Sequence, residues 1–168
     1  MTDPIYSAAL VREIAAERDA TALNLDSTNK MSPHSEVAGV AAELMFACTY
    51  GLPMNRRPKG DADPGYDYVV NKHYIDCKAS TNDKDSPEIC LLITKGQVNT
   101  DNIYVMYYVN PDTLFAMPLG YEYGKIMAMR PVHDFKDGPA HWKLVTDLRS
   151  MWQLHRMLVE EEKDDGKD

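Results

Sequence analysis

The chain has 168 residues, 44% of them hydrophobic, which is enough for one well-packed domain and too few for two ordinary ones. The formal net charge of −8 argues against sequence-independent binding of DNA through its phosphates. No apolar run approaches the roughly twenty residues of a membrane helix, and the start of the chain lacks the basic-then-apolar layout of a signal peptide. Three cysteines without a CxxC pair fit reduced thiols better than disulfides or a zinc site.

These features predict a soluble, cytoplasmic protein with no membrane partner. The single domain is expected to span residues 1–159. Residues 160–168 carry six acids and two lysines, and so contribute −4 to the net charge. This composition is typical of a solvated, disordered acidic tail.

Two helices are predicted in the first part of the chain. Apolar residues at helical spacing predict the first over Pro4–Arg18, followed by a polar loop. Ser32-Pro33 is typical of an N-cap followed by proline in the first turn, and Gly51 predicts that the second helix ends near Tyr50.

Five strands and a last helix are predicted in the rest of the chain. The strand-like runs are Tyr66–Val70, His73–Lys78, Glu88–Lys95, Ile103–Asn110 and Leu114–Leu119. Amphipathic spacing predicts the last helix over Trp142–Val159. The order of these elements predicts an α/β (α+β) domain in which helices flank a central mixed β-sheet.

The residues most suited to catalysis lie on the first predicted hairpin. If Asn71-Lys72 is a two-residue turn, cross-strand pairing places Asp67 directly opposite Asp76. Strand alternation puts Lys78 on the same face as Asp76, and the other face is apolar. Opposed carboxylates favour a bound divalent cation with oxygen ligands. A loop with an odd number of residues would instead turn Asp67 away, and Asp-x-Lys alone is also common on solvated surface hairpins.

This pattern resembles the active-site motif of the PD-(D/E)xK nuclease superfamily. The superfamily combines an aspartate on one strand, an (Asp/Glu)-x-Lys triplet on the next and often a glutamate on the preceding helix. The matching residues here are Asp67, Asp76-Cys77-Lys78 and Glu43. Tyr66 stands where the motif has proline. The resemblance covers about Met31–Asn110 and implies a restriction-endonuclease-like αβββαβ core.

The resemblance implies a Mg²⁺-dependent deoxyribonuclease that uses one or two ions, for which Mn²⁺ substitutes. The implied metal ligands are Asp67, Asp76, the backbone carbonyl of Cys77 and, directly or through water, Glu43. Lys78 is implied to orient or deprotonate the attacking water and to offset charge on the phosphate.

Other polar residues are secondary candidates. Glu36 lies two turns before Glu43 and is the alternative helix acid, although it also suits the positive end of the helix dipole. Gln97 resembles a trailing glutamine of some branches of the superfamily. Four basic residues are candidates for contacts with nucleic acid, and the alternative is that they are ordinary solvated side chains: Arg56, Arg57, Lys59 and Lys95.

Two functions stay open. The first is a metal-dependent nuclease acting on DNA, supported by the presence of each ligand type together with Lys78. The second is a catalytically inactive nuclease-fold protein that binds protein or nucleic acid as an accessory factor, supported by the acidic composition and by Tyr107 and Tyr108. The size suggests a phage or bacterial protein, in the host cytoplasm if phage-encoded. A homodimer would let a small domain cut two strands.

Overall fold

The computed structural model of the chain describes residues 6–22, 33–54, 56, 64–82 and 89–160. The helices are α1 (Ala8–Ala22), α2 (Pro33–Tyr50), α3 (Gly124–Ala128) and α4 (Met151–Glu160). The strands are β1 (Tyr68–Val70), β2 (His73–Ser80), β3 (Cys90–Thr94), β4 (Asn102–Val109), β5 (Ala116–Tyr123), β6 (Val132–Phe135) and β7 (Gly138–Leu144). A short 3₁₀ turn, Val145–Asp147, precedes α4.

The central sheet has four strands in the order β1-β2-β4-β5. β2 and β4 are parallel, and the other two pairings are antiparallel. The predicted α+β class, with a central mixed sheet flanked by helices, is confirmed. β3 belongs to a second sheet in the order β3-β7-β6. The αβββαβ order has a helix after its third strand. In this chain a turn at 95–97 follows β3 instead.

Apolar cores lie on both faces of the central sheet. On one face α1, α2 and α4 pack against alternate strand residues such as Ile75 and Val105. On the other face β3 and α3 pack against Tyr104 and Met106 of β4. Because both of its faces are covered, β4 is buried along almost its whole length, which explains its continuous apolar sequence.

Local sequence signals set both ends of α2. Pro33 is its first residue, as predicted, and Ser32 lies outside the described residues. Gly51 adopts a left-handed φ of +65°, and the N–H of Leu52 donates to the carbonyl of Ala47 at 2.9 Å. This is the hydrogen bond of a Schellman cap, which glycine permits because it has no Cβ.

The prediction of a helix over Trp142–Val159 is wrong in its first part. Trp142 to Leu144 end β7 and pair with β3, so tertiary pairing overrides the helical spacing of the apolar residues. The helix begins at Met151, after Ser150. There Ser150 and Gln153 exchange side-chain to backbone hydrogen bonds of 3.3 and 3.4 Å, which form a capping box.

The first and last helices differ from the predicted elements at their ends. The first helix begins at Ala8 and continues to Ala22, beyond the predicted end at Arg18, and Pro4 lies outside the described residues. Of the predicted acidic tail, Glu160 is the last residue of α4, and 161–168 lie outside the described residues. In the described part of the chain no helix is both long and apolar enough to cross a membrane.

Candidate active site

The hairpin of β1 and β2 has the predicted two-residue turn. Asn71 and Lys72 both have positive φ, +46° and +68°, as a type I′ turn requires. The side-chain amide of Asn71 donates to the carbonyl of Leu158 at 2.6 Å and so fixes the turn against α4. The predicted register is confirmed through the pairs Val70↔His73, Val69↔Tyr74 and Tyr68↔Ile75.

The ladder stops at Tyr68, and Asp67 lies just outside it. The N–H of Asp67 donates to the carbonyl of Ile75 at 2.7 Å, although Ile75 is the partner of Tyr68. Two consecutive residues therefore lie against one residue of β2, which is the arrangement of a β-bulge. The structure thus differs from the expectation that Asp67 directly opposes Asp76, because β1 carries an extra residue at this point.

The bulge brings the Asp67 carboxylate to the edge of β2. Its Oδ2 accepts the backbone N–H of Cys77 at 2.7 Å. In a strand the N–H and C=O of one residue point to the same edge, so the carbonyl of Cys77 also points to the side where Asp67 lies. Asp67 is therefore held at the residue between Asp76 and Lys78.

Asp76 and Lys78 lie on one face of β2, as strand alternation predicts. Asp76 Oδ1 and Lys78 Nζ are 2.8 Å apart, and the two side chains are 14% and 38% exposed. The ammonium also lies 5.8 Å from the centre of the Tyr104 ring, which borders it on β4. We call Asp67, Asp76, Cys77 and Lys78 the strand cluster.

The side chain of Cys77 is buried on the apolar face of β2. Burial raises the pKa of this thiol well above its ordinary value, and the carboxylates of Asp67, Glu43 and Asp76 raise it further. The ammonium of Lys78 lowers it. The charges of all four side chains predicted for catalysis thus act on the Cys77 thiol.

Glu43 lies in a second, buried group of charges on the helices. Its Oε1 and Oε2 accept hydrogen bonds from Arg18 Nη1 and Nη2 at 3.0 and 2.6 Å. The Arg18 side chain is 3% exposed and that of Glu43 1%. Glu36 Oε1 lies 3.5 Å from Arg18 Nη1, so both candidate helix acids share one guanidinium. We call Arg18, Glu36 and Glu43 the helix cluster.

The sequence prediction missed Arg18, although a signal for it exists. Arg18 follows Val11, Ile14 and Ala15 at helical spacing, so it occupies a position on the buried stripe of α1. A charged residue on such a stripe is rarely fully buried unless it is paired. Burial lowers the pKa of Arg18, but the bonds to Glu43 and the charges of Glu43, Glu36 and Asp67 raise it above its ordinary value. Arg18 is therefore held in its charged form chiefly by its pairing with Glu43.

The oxygen groups of the strand cluster are of the kinds that bind Mg²⁺. Among the described residues, no three side chains of His, Cys, Asp or Glu are arranged to hold a metal ion. Both Glu43 oxygens accept hydrogen bonds from Arg18. Two carboxylates and one carbonyl remain near Cys77, and Mg²⁺ commonly binds through one or two carboxylates while keeping several waters. The set fits an ion whose other ligands are water and substrate phosphate.

The remaining secondary candidates are exposed or lie outside the described residues. Arg56 is half exposed and pairs with Glu17 of α1, with both carboxylate oxygens 3.1 Å away. Lys95 and Gln97 are exposed in the turn after β3. Arg57 and Lys59 are outside the described residues.

A third buried acid, Glu122, was not predicted. It lies on β5, in one row of the sheet with Tyr104 and Asp76, and is 1% exposed. It pairs closely with Lys143 of β7 and at 3.0 Å with Arg149 Nε. Burial alone would raise the pKa of Glu122, but these bonds lower it below its ordinary value. Glu122 therefore ties the central sheet to the second sheet and to the segment before α4.

No family model, curated protein or solved structure matches this chain. Its function must therefore be argued from the arrangement of its own residues. The hairpin brings Asp67 and Lys78 to the two residues next to them on β2, Cys77 and Asp76, and the helices hold Glu43 in a separate buried pair with Arg18.

Proposed function

We propose that this chain is a metal-dependent nuclease that hydrolyses phosphodiester bonds, with DNA as its substrate. The observation that carries the proposal is the hydrogen bond from the Cys77 N–H to the Asp67 carboxylate. This bond holds the Asp67 carboxylate at Cys77, whose chain neighbours Asp76 and Lys78 supply a second carboxylate and an amine. Phosphodiester hydrolysis needs groups of these types, because a cation and a positioned water must meet the negative phosphate.

The residues that would hold Mg²⁺ or Mn²⁺ are Asp67 and Asp76, together with the carbonyl of Cys77. When bound, the ion supplies a Lewis acid and lowers the pKa of a water ligand. The bulge serves this arrangement, since it turns the Asp67 carboxylate toward the backbone of β2 rather than into direct opposition with Asp76.

Lys78 would act on the phosphate and on the attacking water. Asp76 holds its ammonium at 2.8 Å, and the Tyr104 ring borders it, so the flexible side chain has a preferred place. Because the Lys78 side chain is 38% exposed, its ammonium can donate to a phosphate oxygen or to a water beside it. Its charge offsets the negative charge that develops during hydrolysis.

Glu43 would support the site chiefly as part of the scaffold. Its carboxylate is held by Arg18, and its backbone carbonyl accepts the hydroxyl of Tyr68 at 3.1 Å. Tyr68 is the residue that follows Asp67. These contacts fix α2 against the start of β1, and thereby fix the position from which the Asp67 carboxylate reaches Cys77.

The experiment compares the wild-type chain with Asp76→Asn and a matched control, Asp134→Asn. Asp134 is an exposed acid on β6, which belongs to the second sheet. Plasmid, linear, branched and single-stranded DNA are incubated with each protein in Mg²⁺, in Mn²⁺ and in EDTA. We expect wild type and Asp134→Asn to cleave in Mg²⁺ or Mn²⁺ only, and Asp76→Asn to be inactive. Equal cleavage by Asp76→Asn would refute the assignment.

A metal titration gives a readout that does not depend on turnover. Binding to the native state alone raises the melting temperature. Mn²⁺ should therefore raise that of wild type and Asp134→Asn, and should leave that of Asp76→Asn unchanged. The same shift in all three proteins would mean that the ion binds elsewhere.

The second candidate function is a catalytically inactive nuclease-fold accessory factor. The observation that favours it is the pairing of both Glu43 oxygens with Arg18, which commits the helix acid to a cation of the protein itself. On this alternative, Mn²⁺ leaves the melting temperature of wild type unchanged, and no DNA is cleaved under any metal condition. The titration and the cleavage assay together distinguish the two candidates.

A further inference from the structure

An exposed apolar surface lies beside the strand cluster. Val69 and Tyr74 face each other across the hairpin, and they are 49% and 40% exposed. The ring centre of Tyr66 lies 4.8 Å from that of Tyr74, with 43° between the ring planes. We call Tyr66, Val69 and Tyr74 the tyrosine platform.

The platform and the charged groups occupy the same face of the hairpin. Tyr74 precedes Asp76 by two residues, so the two side chains project from the same side, roughly 7 Å apart along the strand. Tyr66 immediately precedes Asp67. This spacing is comparable with the reach from a base to a phosphate of its own nucleotide. A base on the platform would thus present a phosphate to Lys78.

The charge of the protein favours a contact that does not depend on phosphate neutralisation. With a net charge of −8, the chain is poorly suited to hold DNA through the phosphates alone. Stacking on an aromatic ring is available to every base, because each base has a π face. In a duplex those faces are covered by neighbouring base pairs, so an unpaired base is the form that can stack on a protein ring.

We propose that the tyrosine platform stacks an unpaired nucleobase, which makes single-stranded DNA, or the unpaired strand at a duplex end, the substrate class of the strand cluster. This inference rests on the proposed nuclease function. A base on the platform orients its strand along β2, with the phosphate next to Asp76 and Lys78. A second copy of the chain or a peptide could also cover an apolar patch. The continuity of the platform with the strand cluster favours the nucleic acid.

The test measures the binding of a fluorescein-labelled oligothymidylate by fluorescence anisotropy. All variants are made in the Asp76→Asn background and measured in EDTA, so that cleavage does not interfere. Tyr74→Ala removes the ring, and Tyr74→Phe keeps it. Phe115→Ala is the matched control, because Phe115 is 44% exposed and bonds to Asn110, at the end of β4 remote from Tyr74. Melting temperatures check that each variant folds.

We expect Tyr74→Ala to weaken binding at least about fivefold, as the loss of one stacked base predicts. Tyr74→Phe and Phe115→Ala should stay within about twofold of the background protein. Binding to a blunt duplex should be weaker and unaffected by Tyr74→Ala. The inference is overturned if the background protein does not bind the oligonucleotide, or if Tyr74→Ala binds it like Phe115→Ala. It is also overturned if Tyr74→Ala weakens duplex binding equally.

Two further measurements separate the possible failures. If Tyr74→Ala changes the sedimentation mass of the protein, the patch is a self-association surface and the inference is wrong. Cleavage in Mg²⁺ is also compared between the otherwise wild-type chain and Tyr74→Ala. If both cleave duplex DNA equally and neither prefers unpaired strands, the inference about the tyrosine platform is wrong and the proposed nuclease function stands. If binding depends on the Tyr74 ring but no metal supports cleavage, the proposed nuclease function is wrong and base binding by the tyrosine platform stands.

Discussion

The helix cluster and the strand cluster contain the same kinds of groups, carboxylates beside a strong cation, but differ in their access to water. The side chains of Arg18 and Glu43 are 3% and 1% exposed, whereas those of Asp76 and Lys78 are 14% and 38% exposed. A buried pair cannot exchange a partner for water without leaving an uncompensated charge. A partly exposed pair can accept water, a metal ion or a phosphate at small cost. We therefore propose that the helix cluster supports the fold and that the strand cluster carries the chemistry.

The largest expected effect is the loss of stability in Arg18→Met. This change leaves Glu43 buried without its guanidinium, which should lower the free energy of unfolding by about 3–5 kcal/mol. In the double variant Arg18→Met/Glu43→Leu both charges of the pair are absent, so a large part of this loss should be recovered. Urea denaturation measures both values. If Arg18→Met is as stable as wild type, the helix cluster does not stabilise the fold.

The second prediction concerns Lys78→Ala, which should abolish measurable cleavage. Removing one electrostatic group from a hydrolytic site typically lowers the rate about 100- to 1,000-fold. The free energy of unfolding should change by less than about 1 kcal/mol, because the side chain is partly exposed. Lys136→Ala, an exposed lysine in the turn before β7, is the control. Full activity in Lys78→Ala would remove the amine from the proposed chemistry.

The hairpin that carries the strand cluster could be predicted because its signals are local. Asn71 tolerates a positive φ, and the alternation of apolar residues fixes which side of β2 is buried. The face shared by Asp76 and Lys78 follows from that alternation alone. Proline and glycine at the two ends of α2 are equally local, and there too the sequence predicted the helix as the structure has it.

The parts that could not be predicted depend on contacts between distant segments. The buried position of Arg18 is visible from its helical spacing, but the identity of its partner depends on how α1 packs against α2. The bulge at Asp67 leaves no mark in the sequence. Trp142 belongs to a strand because β3 lies beside it, although its spacing suits a helix. The capping box at Ser150 was a local signal for the true start of α4.

The third prediction orders the two helix acids. Glu43 makes two hydrogen bonds to Arg18 at 3.0 and 2.6 Å, whereas Glu36 makes one contact at 3.5 Å and its side chain is 11% exposed. Glu43→Gln should therefore lower the free energy of unfolding by about 1–3 kcal/mol, and Glu36→Gln by less. Cleavage should fall further in Glu43→Gln as well. The opposite order in both measurements would mean that Glu36 is the important acid.

The smallest expected effect is a pH dependence from Glu122, a buried acid outside both clusters. Although burial raises its pKa, the bonds to Lys143 and Arg149 lower it below the unfolded value of 4.5. Its charge therefore stabilises the fold above that value, and the stabilisation is lost as the pH falls through the lower, folded pKa. The difference in free energy of unfolding between wild type and Glu122→Gln should be constant near neutral pH and shrink below pH 4.5. Denaturation at several pH values measures this difference, and one that grows on acidification would contradict the assignment.

The hydrogen bond from Asn71 to the carbonyl of Leu158 has a consequence for protein synthesis. A ribosome makes the hairpin early, but its anchor in α4 emerges 87 residues later. The parallel neighbour of β2 also follows it in the chain, so the nascent hairpin has neither support while it leaves the ribosome. In the proposed nuclease, competence for cleavage should therefore arise only after the chain through Leu158 has left the ribosome.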